Sequence, residues 1–491
     1  MIAPRWSPPA RPAARQALAF GGGALCVAGF APLAWFFLPP LMLALLFVLL
    51  RQAASPREAA LTGWSFGAGL FLTGVSWIYV SLSVFGGMPM WLAGTAAVLF
   101  CAFLALYPAL AAWLFRRRLP AAGWPQALWF AALIATVDWL RGWIFTGFPW
   151  LAFGYSQTPP SPLAGYAPLL GVYGLSLLVA LCAALLTQRR GLLVVAAIAA
   201  LGAGLRQAEW TEPEGAPVSV TLLQGNVPQE MKFRPERFAE TLHRYASLVE
   251  RHPAQLTLLP ETAIPAFIDQ VPADYLEHLA GLARRTHGDL IVGTISGDRQ
   301  AYRNSAVSLG TSPSQHYSKQ HLVPFGEFIP EGFAWFMAQA NIPMSSFSRG
   351  PAAQPPLQVA GTEVAVNICY EDAFGEEIIQ ALPAAGILAN LSNTAWFGRS
   401  LAQPQHLQIA RLRALETGRP MLRATNTGMT AIITPRGEVD AVLPPFTTGA
   451  LQGSVQPHRG LTPYARFGNL AALLLIVLAA LGAQLGRHRP R

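Results

Sequence analysis

Charge is scarce in this chain, and one kind of charge is almost missing. Only 12 % of its 491 residues are Asp, Glu, Lys or Arg, against roughly 25 % for an ordinary soluble domain. Of its 34 basic residues only two are lysines. The first 207 residues hold two acids, Glu58 and Asp138, beside twelve arginines. There are four cysteines and no CxxC, HExxH or glycine-rich phosphate loop, and the nine histidines do not pair at ligand spacing. These absences argue against a disordered chain, an ordinary cytosolic enzyme, a disulfide scaffold, a nucleotide-binding loop and a metal centre, and no cofactor is expected. What fills the space is apolar: hydrophobic residues make up 53 % and the mean hydropathy is +0.37. Much of the chain belongs in lipid.

The net charge of +9 divides sharply by position: +10 over residues 1–207, −4 over 208–466, and three arginines in the tail. A nucleic-acid partner would call for basic charge on the polar segment, where it is missing. Eight apolar stretches read as membrane spans: 16–37, 38–50, 60–80, 91–115, 121–140, 170–187, 191–207 and 467–486. The first is expected to be retained, since six more follow before the polar segment with no processing signal between them. Arg5, Arg11, Arg15, Arg51, Arg57, Arg116, Arg117, Arg118, Arg189, Arg190 and the tail arginines fall on one side if there are eight spans. The positive-inside rule then puts both termini in the cytoplasm and residues 208–466 across the membrane. The loop 141–169 is rich in Trp, Phe, Tyr, Gly and Pro. It reads either as an interfacial aromatic belt or as a lipid-binding or lid surface. Asp138 and Arg141 are spaced for a structural ion pair on one helical face.

From about 217 the texture becomes α/β. Strands are expected at 218–227, 256–262, 290–296, 302–309, 364–372, 387–397 and from 421 to 440. Helices are expected at 234–251, 274–286 and 403–417, covering both sheet faces. Several strands end in polar residues, where open sheets usually carry chemistry.

Cys26, Cys101 and Cys182 lie in apolar stretches and read as packing residues. Cys369 is the lone cysteine of the polar segment, either buried and inert or reactive. Two other strand ends carry matching groups, Glu261 in LLPETAIP and Lys319 in HYSKQHLVPFGEFIP. A lysine kept where arginine is the rule suits a desolvated point charge. A carboxylate can take the thiol proton, sulfur can attack a carbonyl, and an ammonium can stabilise the oxyanion; the product is a thioester. His321 offers a rival Cys-His arrangement.

The order of Glu261, Lys319 and Cys369 resembles the Glu-Lys-Cys triad of the nitrilase, or carbon-nitrogen hydrolase, superfamily. Longer phrases narrow this: QGNVPQ (224–229), PETAIP (260–265), KQHLVPFGEFIP (319–330), PMSSFSRGP (343–351), ICYED (368–372), LSNTAWFG (391–398) and LTPYARFGN (461–469). With GMPMW, LRGWIFTGFPWL and FGYSQ in the apolar half, they look like the bacterial apolipoprotein N-acyltransferases. The resemblance implies a multi-pass α-helical membrane bundle of eight spans plus a periplasmic α/β nitrilase-like αββα sandwich. The parts would be a bundle at 1–210, a catalytic domain at 211–466, and a last span and tail at 467–491. It implies transfer of a fatty acyl chain from a phospholipid, typically phosphatidylethanolamine, to the α-amine of a lipoprotein's S-diacylglyceryl-cysteine. Cys369 would be nucleophile, Glu261 base and Lys319 oxyanion stabiliser, supported by Glu327, Tyr370 and Glu371. Phe233, Arg349, Trp396 and Phe397 would contact lipid. The partners would be a phospholipid donor, a diacylated apolipoprotein acceptor and the inner membrane, with the protein a monomer. Phe233 stands where the family often has Trp, and Thr394 where it has Asp. A membrane-anchored amidase and a channel with an outer sensory domain are the competing readings; the spans carry few ionisable residues to line a pathway.

Overall fold

The computed structural model describes residues 12–298, 300–330 and 346–485. Arg5, Arg11, the tail arginines and residues 343–345 of the PMSSFSRGP phrase lie outside the described residues. The chain divides into two compact units. The first comprises Met1–Ser76, Trp91–Ala208 and Asn469–Arg491; the second comprises Trp77–Met90 and Glu209–Gly468.

The first unit is helical where it is described. Helices occupy Pro12–Cys26, Leu38–Gln52, Pro56–Gly74, Met90–Leu104, Leu106–Arg117, Trp124–Arg141, Ala167–Leu186 and Gly191–Leu205, with Leu470–Leu485 at the C-terminal end. Two continuous helical stretches, Met90–Arg117 and Pro162–Leu186, are long and apolar enough to cross a membrane, and a third if Pro56–Gly74 and Ile78–Phe85 count as one bent span. Leu38–Gln52, Gly191–Leu205 and Leu470–Leu485 are apolar but shorter. A helix of 15 residues, such as Leu38–Gln52, reaches only about 22 Å.

Both acids of this unit are used structurally. Ser55 caps Pro56–Gly74 by accepting from the Glu58 N–H, while Glu58 Oε2 accepts from the Ala54 N–H and Oε1 pairs with Arg15 at 2.6 Å. That is a capping box one residue displaced. Asp138 receives Arg141 Nη2 (3.0 Å), the Phe153 N–H (2.9 Å) and Ser176 Oγ (2.8 Å). Arg141 donates onward to the Phe148 and Trp150 carbonyls. The expected Asp138–Arg141 pair is therefore the hub of a buried network, and it splits the aromatic loop. Trp150, Leu151 and Tyr155 are buried, whereas Trp143 and Phe145 are 53 % and 77 % exposed.

The second unit is a four-layer sandwich. One six-stranded sheet runs Val439–Val442, Ala431–Ile433, Met421–Thr425, Ile387–Ser392, Thr362–Ile368, Leu357–Val359. The other runs Gly449–Val455, Val218–Gln224, Leu256–Leu258, Asp289–Gly297, Tyr302–Gly310, His316–Ser318. Their facing sides bury Val220, Leu222, Leu258 and Ile291 with Val364, Ile368, Ile387 and Leu391. Helices Pro235–Arg251 and Ala273–Arg284 cover one outer face and Ala402–Thr417 the other. The three central strands of each sheet are mutually parallel, so their carboxyl ends gather at one edge.

The first unit is packed through glycine. A Cβ on Gly69 would lie 2.0 Å from the Phe20 carbonyl oxygen, and one on Gly23 would lie 1.9 Å from that of Phe66. These glycines let Pro12–Cys26 and Pro56–Gly74 touch backbone to backbone, the small-residue packing that replaces a hydrophobic drive in lipid. Gly69→Val is expected to lower the thermal midpoint in detergent by several degrees. Gly204→Ala, with nothing within 4 Å of its would-be Cβ, should be neutral or stabilising by up to about 1 kcal/mol, since alanine is the better helix former. Equal midpoints for the two variants would refute the packing account.

Candidate active site

Strand ends supply the site residues, two from parallel strands and one from an antiparallel edge strand. Glu261 follows Leu256–Leu258 after Leu259 and Pro260, Lys319 directly follows His316–Ser318, and Cys369 directly follows Thr362–Ile368. All three are buried. Backbone strain collects here: Asn226, Thr262, Phe325 and Cys369 all have left-handed φ, that of Cys369 being 56°. Such conformations persist only where the surroundings over-determine them. At Cys369 they do. Its carbonyl accepts from Asn390 Nδ2 at 3.0 Å and lies 3.3 Å from His406 Nε2. His406 and Arg423 in turn hold Asp372, at 2.8 and 2.9 Å.

Lys319 Nζ lies 2.9 Å from Glu327 Oε1 and 3.5 Å from Glu261 Oε1. Asn304 Nδ2 donates to both carboxylates, at 2.7 Å to Glu261 and 3.0 Å to Glu327. The other Glu261 oxygen accepts the Asn393 N–H at 2.6 Å, and Glu327 Oε2 accepts the Val323 N–H at 2.8 Å. Burial works to strip the Lys319 proton, but the carboxylates of Glu327 and Glu261 outweigh it and hold the ammonium firmly charged. Burial pushes the Cys369 thiol well up, and Glu261 adds to this while Lys319 opposes it. At neutral pH the sulfur rests as a thiol.

Glu371 ties two of these loops together. Its Oε1 accepts the Gln320 and His321 N–H groups, and its Oε2 accepts the Ile368 N–H and the Tyr317 hydroxyl. Burial raises it to about 7, against the lowering pull of those N–H groups and Lys319. Tyr370 packs edge-on against Phe374 at 5.1 Å. His321 stacks on Phe374 at 3.5 Å and its Nδ1 meets Glu377 Oε1 at 2.8 Å. That pairing turns the imidazole Nδ1 to Glu377.

The expected lipid contacts scatter more widely. Phe233 follows the short helix Gln229–Lys232 and is half-buried. Arg349 is exposed, with its guanidinium 5.5 Å from the Phe328 ring centre. Trp396 and Phe397 meet the segment 77–90: Phe397 packs on Trp77 at 4.6 Å, Trp396 on Phe85 at 6.1 Å, and Ser81 Oγ donates to the Trp396 carbonyl at 2.8 Å. Thr394 hydrogen-bonds Gln403 at 2.7 Å, a local tie that needs no carboxylate.

Sequence reasoning passed over Lys232, Asn304 and Asn393. Lys232 is 3 % exposed and its Nζ donates to the Glu261 carbonyl at 2.9 Å. The rarity that singled out Lys319 applied equally to this second lysine.

Residues 22–185 match the family described as the apolipoprotein N-acyltransferase N-terminal domain, and residues 219–462 match the carbon-nitrogen hydrolases. The chain is 52 % identical to an apolipoprotein N-acyltransferase of Nitrosomonas europaea, across 97 % of this chain and 98 % of that one. It is 47 % identical to one of Chromobacterium violaceum, across 95 % and 94 %. Among solved structures it is similar to the C. elegans NitFhit protein, at 15 % identity and a TM-score of 0.40, covering 56 % of this chain and 65 % of that one.

Glu371 yields a pH prediction. Its folded-state value is raised from 4.5 to about 7, so the folded protein holds a proton that the unfolded chain gives up. Its contribution is fully present below pH 4.5 and is lost as pH rises through 7. Glu371→Gln should remove that part of the slope when the thermal midpoint is followed between pH 4.5 and 8. It should also lower stability at every pH, because a Gln amide sets an NH₂ against backbone N–H groups. An unchanged slope would show that Glu371 does not titrate in this window.

Proposed function

The chain belongs to the apolipoprotein N-acyltransferase family, and on that premise we propose that it N-acylates lipoproteins by a two-step transfer through Cys369. The donor is a phospholipid such as phosphatidylethanolamine, and the acceptor is the free α-amine of an S-diacylglyceryl-cysteine. The observation that carries this reading is the Lys319 ammonium held between Glu261 and Glu327, its charge felt at the Cys369 sulfur.

In the first step Glu261 takes the thiol proton as sulfur attacks the ester carbonyl. The oxyanion faces Lys319. Collapse breaks the ester C–O bond, and Glu261 returns the proton to the departing lysophospholipid. In the second step the amine attacks the thioester carbonyl, Glu261 accepts an N–H proton, the C–S bond breaks and the thiolate is reprotonated. The product is an amide, and no other co-reactant is needed. Glu327 keeps Lys319 charged, Glu371 ties the Lys319 loop to the Cys369 loop, and Tyr370 walls the nucleophile. Phe233, Arg349, Trp396 and Phe397 contact lipid.

The protein is proposed to sit in the bacterial inner membrane as a monomer with eight spans, both termini cytoplasmic and the catalytic domain periplasmic. The division would be 1–210, 211–466 and 467–491. The arginine asymmetry supports that orientation, and the exposed Trp143 and Phe145 suit a bilayer interface. Keeping the triad at the membrane avoids lifting an acyl chain into water, at about 0.8 kcal/mol for each CH₂.

Intact mass after mixing purified protein with phosphatidylethanolamine, without acceptor, tests the scheme. A hydroxylamine-sensitive gain of one acyl chain is expected, absent in Cys369→Ser. A diacylated lipopeptide should discharge it faster than water does. Discharge by water at the same rate would favour a membrane amidase, and no adduct on folded protein would overturn the phospholipid donor.

A further inference from the structure

Two lysines serve the whole chain, and both are buried beside Glu261. Lys319 is absorbed into the acyl-transfer scheme; Lys232 is not. Its position is nonetheless specific. It ends the helix Gln229–Lys232, whose first residue, Gln229, accepts from Asn393 Nδ2 at 2.7 Å. Asn393 donates its own N–H to the Glu261 carboxylate, while Lys232 donates to the Glu261 carbonyl. One helical turn therefore grips both ends of the proposed base. The charges also balance only when Lys232 is counted. Glu261 and Glu327 face a single ammonium at Lys319, which leaves a buried excess of one negative charge where another is about to form on sulfur. A buried charge without a counter-charge is strongly disfavoured.

We propose that Lys232 is a second cation of the acyl-transfer site, fixing Glu261 through its main chain and stabilising the Cys369 thiolate as it forms. This rests on the triad reading above. Burial pulls Lys232 down to about 8, with the charge of Glu261 resisting and that of Cys369 adding to the resistance once a thiolate forms, so the ammonium is favoured most when the thiolate is present. The Cys369 thiol feels Glu261, Glu327 and Asp372, which disfavour the thiolate, and Lys319, which favours it; Lys232 and Arg423 in turn are stabilised as cations by a charge on Cys369. That attraction is mutual, so removing Lys232 is expected to move the thiol further up.

The test uses the full-length protein in detergent and two variants. Lys232→Met removes the charge and the donor; Lys232→Gln removes the charge and keeps a donor. The rate of Cys369 alkylation by iodoacetamide, read on the Cys369 peptide by mass, is followed against pH. Both variants should alkylate about tenfold more slowly at pH 7, a shift of roughly one pH unit in the profile. Thioester formation from phosphatidylethanolamine should slow in parallel, with KM for the lipid unchanged. A Lys232→Gln profile that overlays the wild type would reduce Lys232 to a hydrogen bond and overturn the proposal. So would a lowered thermal midpoint with no shift in the profile, or a change confined to KM. If Lys232→Met does not fold, Lys232→Gln decides alone. Cys369→Ser and Glu261→Gln run alongside. Acyl transfer surviving in Cys369→Ser, or Glu261→Gln alkylating like wild type, sinks the triad reading itself; failure of Lys232 alone leaves that reading standing.

Discussion

An ammonium removed from water must be repaid in contacts, and the catalytic unit is arranged around that requirement at Lys319. The side chain is 1 % exposed. Two carboxylates reach it from different loops, and Asn304 bridges them so that neither can drift. The contrast with the surface shows the scale. Arg237–Glu240, on an exposed helix face, is the kind of pair that water and salt largely screen. Deleting one partner of a buried pair typically costs about 3–5 kcal/mol. The ends of strands from both sheets, and the loop 320–328, are therefore locked to one another by charge as well as by the apolar core between the sheets. Glu371 extends the same logic by gathering three backbone N–H groups, two from the loop after Lys319 and one from the strand that leads into Cys369.

Much of this was legible in the sequence because strand ends advertise themselves. LTLLPET, VAVNICYED and ILANLSN each pass from an apolar run to a polar tip, and the structure puts all three tips at one edge of the sandwich. The helices at 235–251, 273–284 and 402–417 fall within a residue or two of their periodic patterns. The edge strands His316–Ser318 and Leu357–Val359 are three residues each, too short for any period to register. Asn304 and Asn393 were invisible for a different reason. Each is an ordinary polar residue in its local pattern, and its role exists only through a partner dozens of residues away. Lys232 was masked by its neighbours: in MKFRPER it reads as one more surface charge, yet the fold turns it inward.

The apolar unit was read in outline and missed in detail. The stretch 16–37 reads as one span, but its helix stops at Cys26 and gives way to a 3-10 turn at Val27–Gly29. Hydropathy counts apolar residues and does not see where the backbone must break. The aromatic loop 141–169 illustrates the same limit. Composition offered a belt or a lid. Asp138 resolves the loop into a buried arm, pinned by the Phe153 N–H, and a separate exposed tip at Trp143 and Phe145.

The ionisation of Cys369 bears on why a solitary thiol is tolerable at all. On the proposed topology it faces an oxidising compartment, where an exposed thiolate would attack disulfides or be oxidised. Burial and the carboxylates of Glu261, Glu327 and Asp372 keep the resting sulfur protonated, and a protonated sulfur is a poor nucleophile and a poor target. On the proposed scheme reactivity is generated within the encounter, when the proton passes to Glu261 and the charge on sulfur is met by the cations around it. Two of the carboxylates that hinder the thiolate, Glu261 and Glu327, also hold Lys319 charged, ready on the proposed scheme for the oxyanion. The site therefore cannot lower the thiol by discarding Glu261 or Glu327 without losing the ammonium. Within that constraint the remaining way to favour the thiolate is another buried cation, which is the place Lys232 occupies.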